Sequence, residues 1–191
     1  FQQLRSTFEK VVQDLTTLDT HPQLYSERDI LAVINQGVNA HKNNEHNLAV
    51  EHFTDALKMK PNQPNIYELR AQSYRALKEY DKALFDVTQA LKKPIDPLIT
   101  LQIRAMIYHD LGLYGNAIED VTKSMEYPDP PNPEWCYIMR ATCATHVDVI
   151  LAIEDYTHLI NTYEAGNKKF YYADRGNMYF KLGSLITAME D

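Results

Sequence analysis

Stretches of this chain can be laid over one another at a step of 34 residues, and that period restricts the possible folds more than any other feature of the sequence. The run Tyr67-Glu68-Leu69-Arg70-Ala71-Gln72-Ser73-Tyr74 is followed by Leu101-Gln102-Ile103-Arg104-Ala105-Met106-Ile107-Tyr108. The downstream alanines Ala49, Ala83 and Ala117 keep the same step. A unit of this length cannot bury its apolar face alone, so copies stack and share one continuous core. Small residues at Gly37, Ala71, Ala105, Ala141 and Gly176 would let two helices of a hairpin approach closely, with an aromatic three residues later filling the space beyond, as at Tyr74, Tyr108 and Tyr179. Proline-bearing breakers fall between the units at 60–64, 93–97 and 127–133, where proline stops one helix and opens the next.

The repeated positions are Gly37, Ala49, Phe53, Ala56 and Pro61 in the first copy. Ala71, Tyr74, Ala83, Val87 and Ala90 follow in the second, and Ala105, Tyr108, Ala117, Val121 and Ser124 in the third. A fourth copy carries Ala141, Ala144, Ala152, Tyr156 and Leu159, with one residue missing from its turn between His146 and Val149. A fifth begins with Gly176, Tyr179, Gly183 and Ala188 and stops at Asp191, inside its expected second helix. This pattern resembles the tetratricopeptide repeat over roughly residues 28 to 191. The resemblance implies an all-α fold, a right-handed α-solenoid of stacked antiparallel helix pairs with an additional N-terminal helix. The expected organisation is an N-terminal amphipathic helix and linker over 1–27, then an array over 28–191 divided as 28–62, 63–97, 98–132, 133–165 and a truncated 166–191.

The N-terminal segment departs from the repeat. Leu4, Phe8, Val11, Leu15 and Leu18 step by four and three residues, which puts them on one helical stripe that needs cover. The stripe suits packing on the end of the first repeat, with self-association through a short coiled coil, or docking into the chain's own groove, as alternatives. His21-Pro22 ends that helix, and Ser26 with Asp29 suits the cap of the next.

A charged pair recurs. Arg70, Arg104, Arg140 and Arg175 precede the small first-helix residue, while Asp86, Asp120, Asp155 and Asp191 follow the second-helix alanine by three. The first copy has Gln36 and His52 instead, and this joint absence predicts that the arginine and aspartate of one repeat form a structural ion pair. An anion-binding ladder of arginines is the other reading, and the matching aspartates would neutralise it.

The tetratricopeptide resemblance also implies a concave groove lined by first helices. It places Ile34, Val38 and His41 there from the first repeat, and Glu68, Gln72 and Arg75 from the second. Ile99, Gln102, Ile103, Met106 and His109 come from the third, Trp135, Ile138, Met139 and Thr142 from the fourth, and Phe170, Ala173, Asp174 and Asn177 from the fifth. Trp135 is the sole tryptophan, and with Ile103, Met106, Ile138 and Met139 it makes an apolar centre that suits a partner's bulky side chains. The same residues at helical spacing also suit a packed core, so groove and core both remain open for Trp135. One branch of the family grips the C-terminal carboxylates of Hsp70 and Hsp90 with basic residues and asparagines. Here Ile34, Val38, Leu69, Ile99 and Ile103 occupy those positions, and chaperone tails are not expected as ligands.

The remaining composition excludes several function classes. A formal charge of −7 disfavours nucleic acid as the main partner. No apolar run approaches the length that spans a bilayer, and no signal peptide is visible, so a cytoplasmic protein is expected. The sequence starts at Phe1 rather than methionine and breaks off within a repeat, as an excerpt would. Cys136 and Cys143 have neither disulfide nor metal-ligand spacing and suit reduced, buried thiols. There is no phosphate loop, nucleophile elbow or HExxH motif, so neither catalysis, metal nor cofactor is expected. The expected function is a scaffold or adaptor that binds a peptide or helix of a partner in the groove. The alternatives are a regulatory or localising domain of a larger enzyme or chaperone complex, and an RNA-binding helical repeat.

Overall fold

The structure, a computed structural model, describes residues 25–92, 94, 97–127, 132–163 and 168–190, the last seven of these as helical backbone only. The amphipathic stripe from Leu4 to Leu18 and the aspartate at position 191 lie outside the described residues. Among the described residues the elements are helices: α1 Glu27–Lys42, α2 His46–Met59, α3 Pro64–Ala76, α4 Tyr80–Leu91, α5 Pro97–Asp110, α6 Tyr114–Met125, α7 Pro133–Val147, α8 Val149–Thr162 and α9 Lys168–Glu190. Consecutive helices pack as hairpins α1/α2, α3/α4, α5/α6 and α7/α8, and α9 closes against α8. None of these helices is long and apolar enough to cross a membrane.

Local chemistry sets the helix ends. Ser26 caps α1 reciprocally with Asp29, the Asp29 amide donating to Ser26 Oγ and the Ser26 amide to Asp29 Oδ2, each at 3.2 Å. Pro64, Pro97 and Pro133 open α3, α5 and α7, where a missing amide proton costs nothing. Asn132 also caps α7 by accepting from the Trp135 amide at 3.0 Å.

Three of the hairpin turns are built alike. Asn44, Lys78 and Gly112 adopt φ of 63°, 60° and 73°, and they recur at the 34-residue step. Each amide after them reaches back five residues: Glu45 to the Ala40 carbonyl, Glu79 to Tyr74 and Leu113 to Tyr108, at 2.9, 2.9 and 2.8 Å. This is the left-handed C-terminal cap that reverses a chain within a few residues. The fourth hairpin dispenses with it. Asp148 ends α7 and begins α8 at once, its side chain accepting from the Ile150 and Leu151 amides at 3.1 Å each.

The core runs through the stack as linked clusters, each borrowing from the next hairpin. Ala49, Phe53 and Ala56 pack with Ile66 of α3; Ala71, Ala83 and Val87 with Ile103 and Ile107 of α5. Ala105, Ala117 and Val121 pack with Cys136 and Cys143 of α7; Ala141, Ala152, Tyr156 and Leu159 with Tyr171 of α9. Both cysteines are free and buried, and burial pushes the Cys143 thiol up to about 11.

Gly183 stands where Gly112 turns the chain, yet α9 continues unbroken through it to Glu190.

Candidate interaction groove

The first helices of neighbouring hairpins touch, α1 with α3 and α3 with α5, while the second helices make no comparable contact. The first helices line one face of the stack, the candidate inner face of the sequence reading. Polar links tie that face together. His41 Nδ1 lies 2.9 Å from Ser73 Oγ, the Thr100 hydroxyl donates to Glu68, and the Tyr171 hydroxyl donates to Glu134 at 2.9 Å. Arg75 forks onto Asp110 at 2.6 and 3.3 Å and also reaches Met106 Sδ at 3.5 Å. Burial opposes ionisation of Asp110, but the hydrogen bonds and charges of Arg75 and His109 outweigh it and hold its pKa below the usual value. His41 is shifted down by its burial and by the neighbouring His46.

The residues assigned to the groove from sequence fall into distinct environments. Ile103 is 2% exposed and belongs to the core cluster with Ala71 and Val87, so no ligand on the inner face can touch it. Ile34 and Val38 are half-buried against the first core cluster, and Met106 against the second. Trp135 and Met139 are half-buried against the cluster that contains Cys136 and Cys143, and Ile138 against the last one. Thr142 is half-buried and spends its hydroxyl proton on the Ile138 carbonyl at 2.7 Å. Gln72 and Arg75 line a shallow depression with His41, Lys78, Tyr80 and Asp110. His109 and Asp174 are half-buried; Ala173 and Asn177 are exposed.

Two features escaped the sequence reading. Leu31 is 57% exposed and stands six residues before Gly37, as Ile99, Trp135 and Phe170 stand six before Ala105, Ala141 and Gly176. Ile99 is 39% and Phe170 56% exposed, so one register of the first helices carries an apolar row interrupted by Asn65. Counting back from the small residue in every copy would have found Leu31. The second feature concerns the arginines. Arg70 grips Asp86 through Nε and Nη2 at 2.7 and 2.8 Å, Arg104 grips Asp120 at 2.6 Å twice, and Arg140 grips Asp155 at 2.9 and 2.7 Å. The remaining Nη1 of Arg70, Arg140 and Arg175 donates to Thr54, Thr122 and Thr157 on the second helix of the preceding hairpin. These threonines recur five residues after Ala49, Ala117 and Ala152, a visible signal that went unused. Each such arginine therefore bolts its own hairpin to the one before. The hydrogen bond to Asp86 raises the Arg70 pKa further, while for Asp86 desolvation of the nearly buried carboxylate is the larger influence and raises its pKa. The bidentate geometry keeps the pair ionised at neutral pH.

Among the described residues no group of histidine, cysteine or carboxylate side chains is arranged to hold a metal ion. Fold and inner face together define an α-solenoid of helical hairpins. Residues 100–128 match the family model described as tetratricopeptide repeat. The first tetratricopeptide unit of Spaghetti (RPAP3), solved with the HSP90 peptide SRMEEVD, is similar at 18% identity and a TM-score of 0.59, over 65% of this chain and 98% of that one. A tetratricopeptide repeat protein from Parabacteroides merdae is similar at 22% identity and 0.67, over 88% of this chain and 64% of that one. PilW, a type IV pilus biogenesis factor, is similar at 16% identity and 0.66, over 81% and 79%. No curated protein matches the chain.

Proposed function

We propose that this chain is a non-catalytic interaction scaffold that holds a peptide or helix of a protein partner along its inner face. The observation that carries this reading is the apolar surface that Leu31, Ile99 and Phe170 leave exposed at one register of α1, α5 and α9, with Trp135 half-buried at the same register of α7. Bulky apolar side chains of a ligand suit that row, in the manner of an amphipathic helix laid into a groove. His41, Gln72, Arg75, His109 and Asn177 supply a polar border that would fix orientation. The HSP90-peptide-bound relative points to a different ligand chemistry. Ile34, Val38, Leu69, Ile99 and Ile103 stand where carboxylate-gripping residues would be needed, so an acidic chaperone tail lacks its partners here. Reduced, buried Cys136 and Cys143 accord with a cytoplasmic setting.

The test is selection of binders from a displayed peptide library on the folded chain, followed by calorimetry. Trp135→Ala is expected to weaken the selected peptides by about 2 kcal/mol, roughly 30-fold. Leu31→Ser and Ile99→Ser should each weaken them less, with thermal unfolding unchanged. Selected peptides whose affinity none of the three substitutions alters would place the site elsewhere.

A further inference from the structure

Two carboxylates accompany the apolar row where it crosses from α7 to α9. Glu134 immediately precedes Trp135, and Asp174 stands one turn after Phe170 on the same side of α9. Both are half-buried. Glu134 accepts from the Tyr171 hydroxyl at 2.9 Å, so it reaches from α7 onto α9, and that donor is neutral. Asp174 lies near Tyr156, whose pKa is raised first by burial and then by the charge of Asp174. Among the described residues neither carboxylate forms an ion pair.

The arginines of the same helices do not offset these charges. Arg104 and Arg140 are held by Asp120 and Asp155 on second helices, Arg175 donates to Thr157 on another, and Arg75 is spent on Asp110. An acidic ligand would therefore meet two carboxylates without arginines to balance them, on a chain of formal charge −7. A purely apolar ligand fares little better. Covering the row would strip water from Glu134 and Asp174, and dehydrating a carboxylate is costly unless a cation arrives with the ligand. The aromatic rings favour the same chemistry. Phe170 already takes the Lys169 ammonium over its ring at 5.0 Å, and tryptophan attracts cations more strongly than phenylalanine does.

We infer that the partner segment is cationic as well as apolar, with lysine or arginine side chains within one helical turn of its bulky residues and bound at Glu134 and Asp174 along the seam of α7 and α9. This inference rests on the inner-face reading proposed above and adds the charge of the ligand to it. Apolar anchors then supply contact area, while the two carboxylates select basic segments over acidic ones.

The displayed-library selection on the folded chain tests this when its peptides are carried into calorimetry. Selected peptides are expected to hold lysine or arginine beside the residue whose binding needs Trp135. Glu134→Gln, which keeps an acceptor for Tyr171, and Asp174→Asn should each weaken those peptides about fivefold at low salt. That loss should shrink in about 1 M sodium chloride, whereas the Trp135→Ala loss should persist. Glu134→Lys should in turn prefer the same peptides with their cation replaced by glutamate. Thermal unfolding of each variant checks that the array stays folded. Peptides that need Trp135 but are neutral or acidic beside it would overturn the charge inference and leave the inner-face reading standing. Basic peptides indifferent to both Glu134→Gln and Asp174→Asn would do the same. Failure to select any binder, or binders indifferent to Leu31→Ser, Ile99→Ser and Trp135→Ala together, would remove both.

Discussion

At the scale of single residues, stability rests on side chains whose worth depends on what surrounds them. Asp86 is nearly inaccessible and its two oxygens are both used by Arg70. Arg70→Ala would leave that carboxylate buried without a partner, and urea unfolding should show a loss of about 3–5 kcal/mol. Replacing both residues by apolar ones of similar volume should recover much of it. The two glycines at the repeated small position make an opposite pair. A Cβ on Gly37 would stand 2.6 Å from Phe53 Cε1, because the first hairpin fills with phenylalanine the space that Val87 and Val121 fill in the next two. Gly37→Ala must displace that ring and should cost about 1–3 kcal/mol. Gly176→Ala meets open space in a helix and should gain about 1 kcal/mol in the same assay.

At the scale of elements, the turns decide how each pair of helices closes. The hydrophobic periods and the proline breakers made the helices legible from α1 to α8, since both depend on residues near one another in sequence. The missing residue near His146 was legible too, but not how the chain copes with it. Asp148 takes over the whole turn by capping α8 where the left-handed cap would have been. Asp148→Ala should therefore lower stability by about 1 kcal/mol in thermal or urea unfolding, with helix content nearly unchanged. Lys78→Gly should raise it by a similar amount, since a side chain at a φ of 60° is strained and glycine is not. The fifth hairpin shows where local reading stops. Gly183 has the register of a turn residue, but a glycine permits a left-handed turn without compelling one, and α9 is helical from Lys168 through Gly183 to Glu190.

At the scale of the whole molecule, each core cluster spans a hairpin and the first helix of the next, so a hairpin gains stability from both neighbours and the ends gain from one. Amide hydrogen exchange should accordingly be slowest in α4 to α7 and faster in α1 and in α9 beyond Tyr179. Uniform protection along the stack would mean that the array unfolds as a single unit. The repeat, its helical hairpins and the spacing of Arg70 with Asp86 were written in the sequence, because a fixed period repeats the same contacts whatever the global curvature. Which apolar residues remain at the surface was settled only by tertiary packing. Ile103 and Ile99 sit on the same helix in a similarly apolar stretch, yet the approach of α3 and α4 buries the first and leaves the second 39% exposed. Burial depends on the neighbouring hairpin's position, which a one-dimensional pattern does not specify.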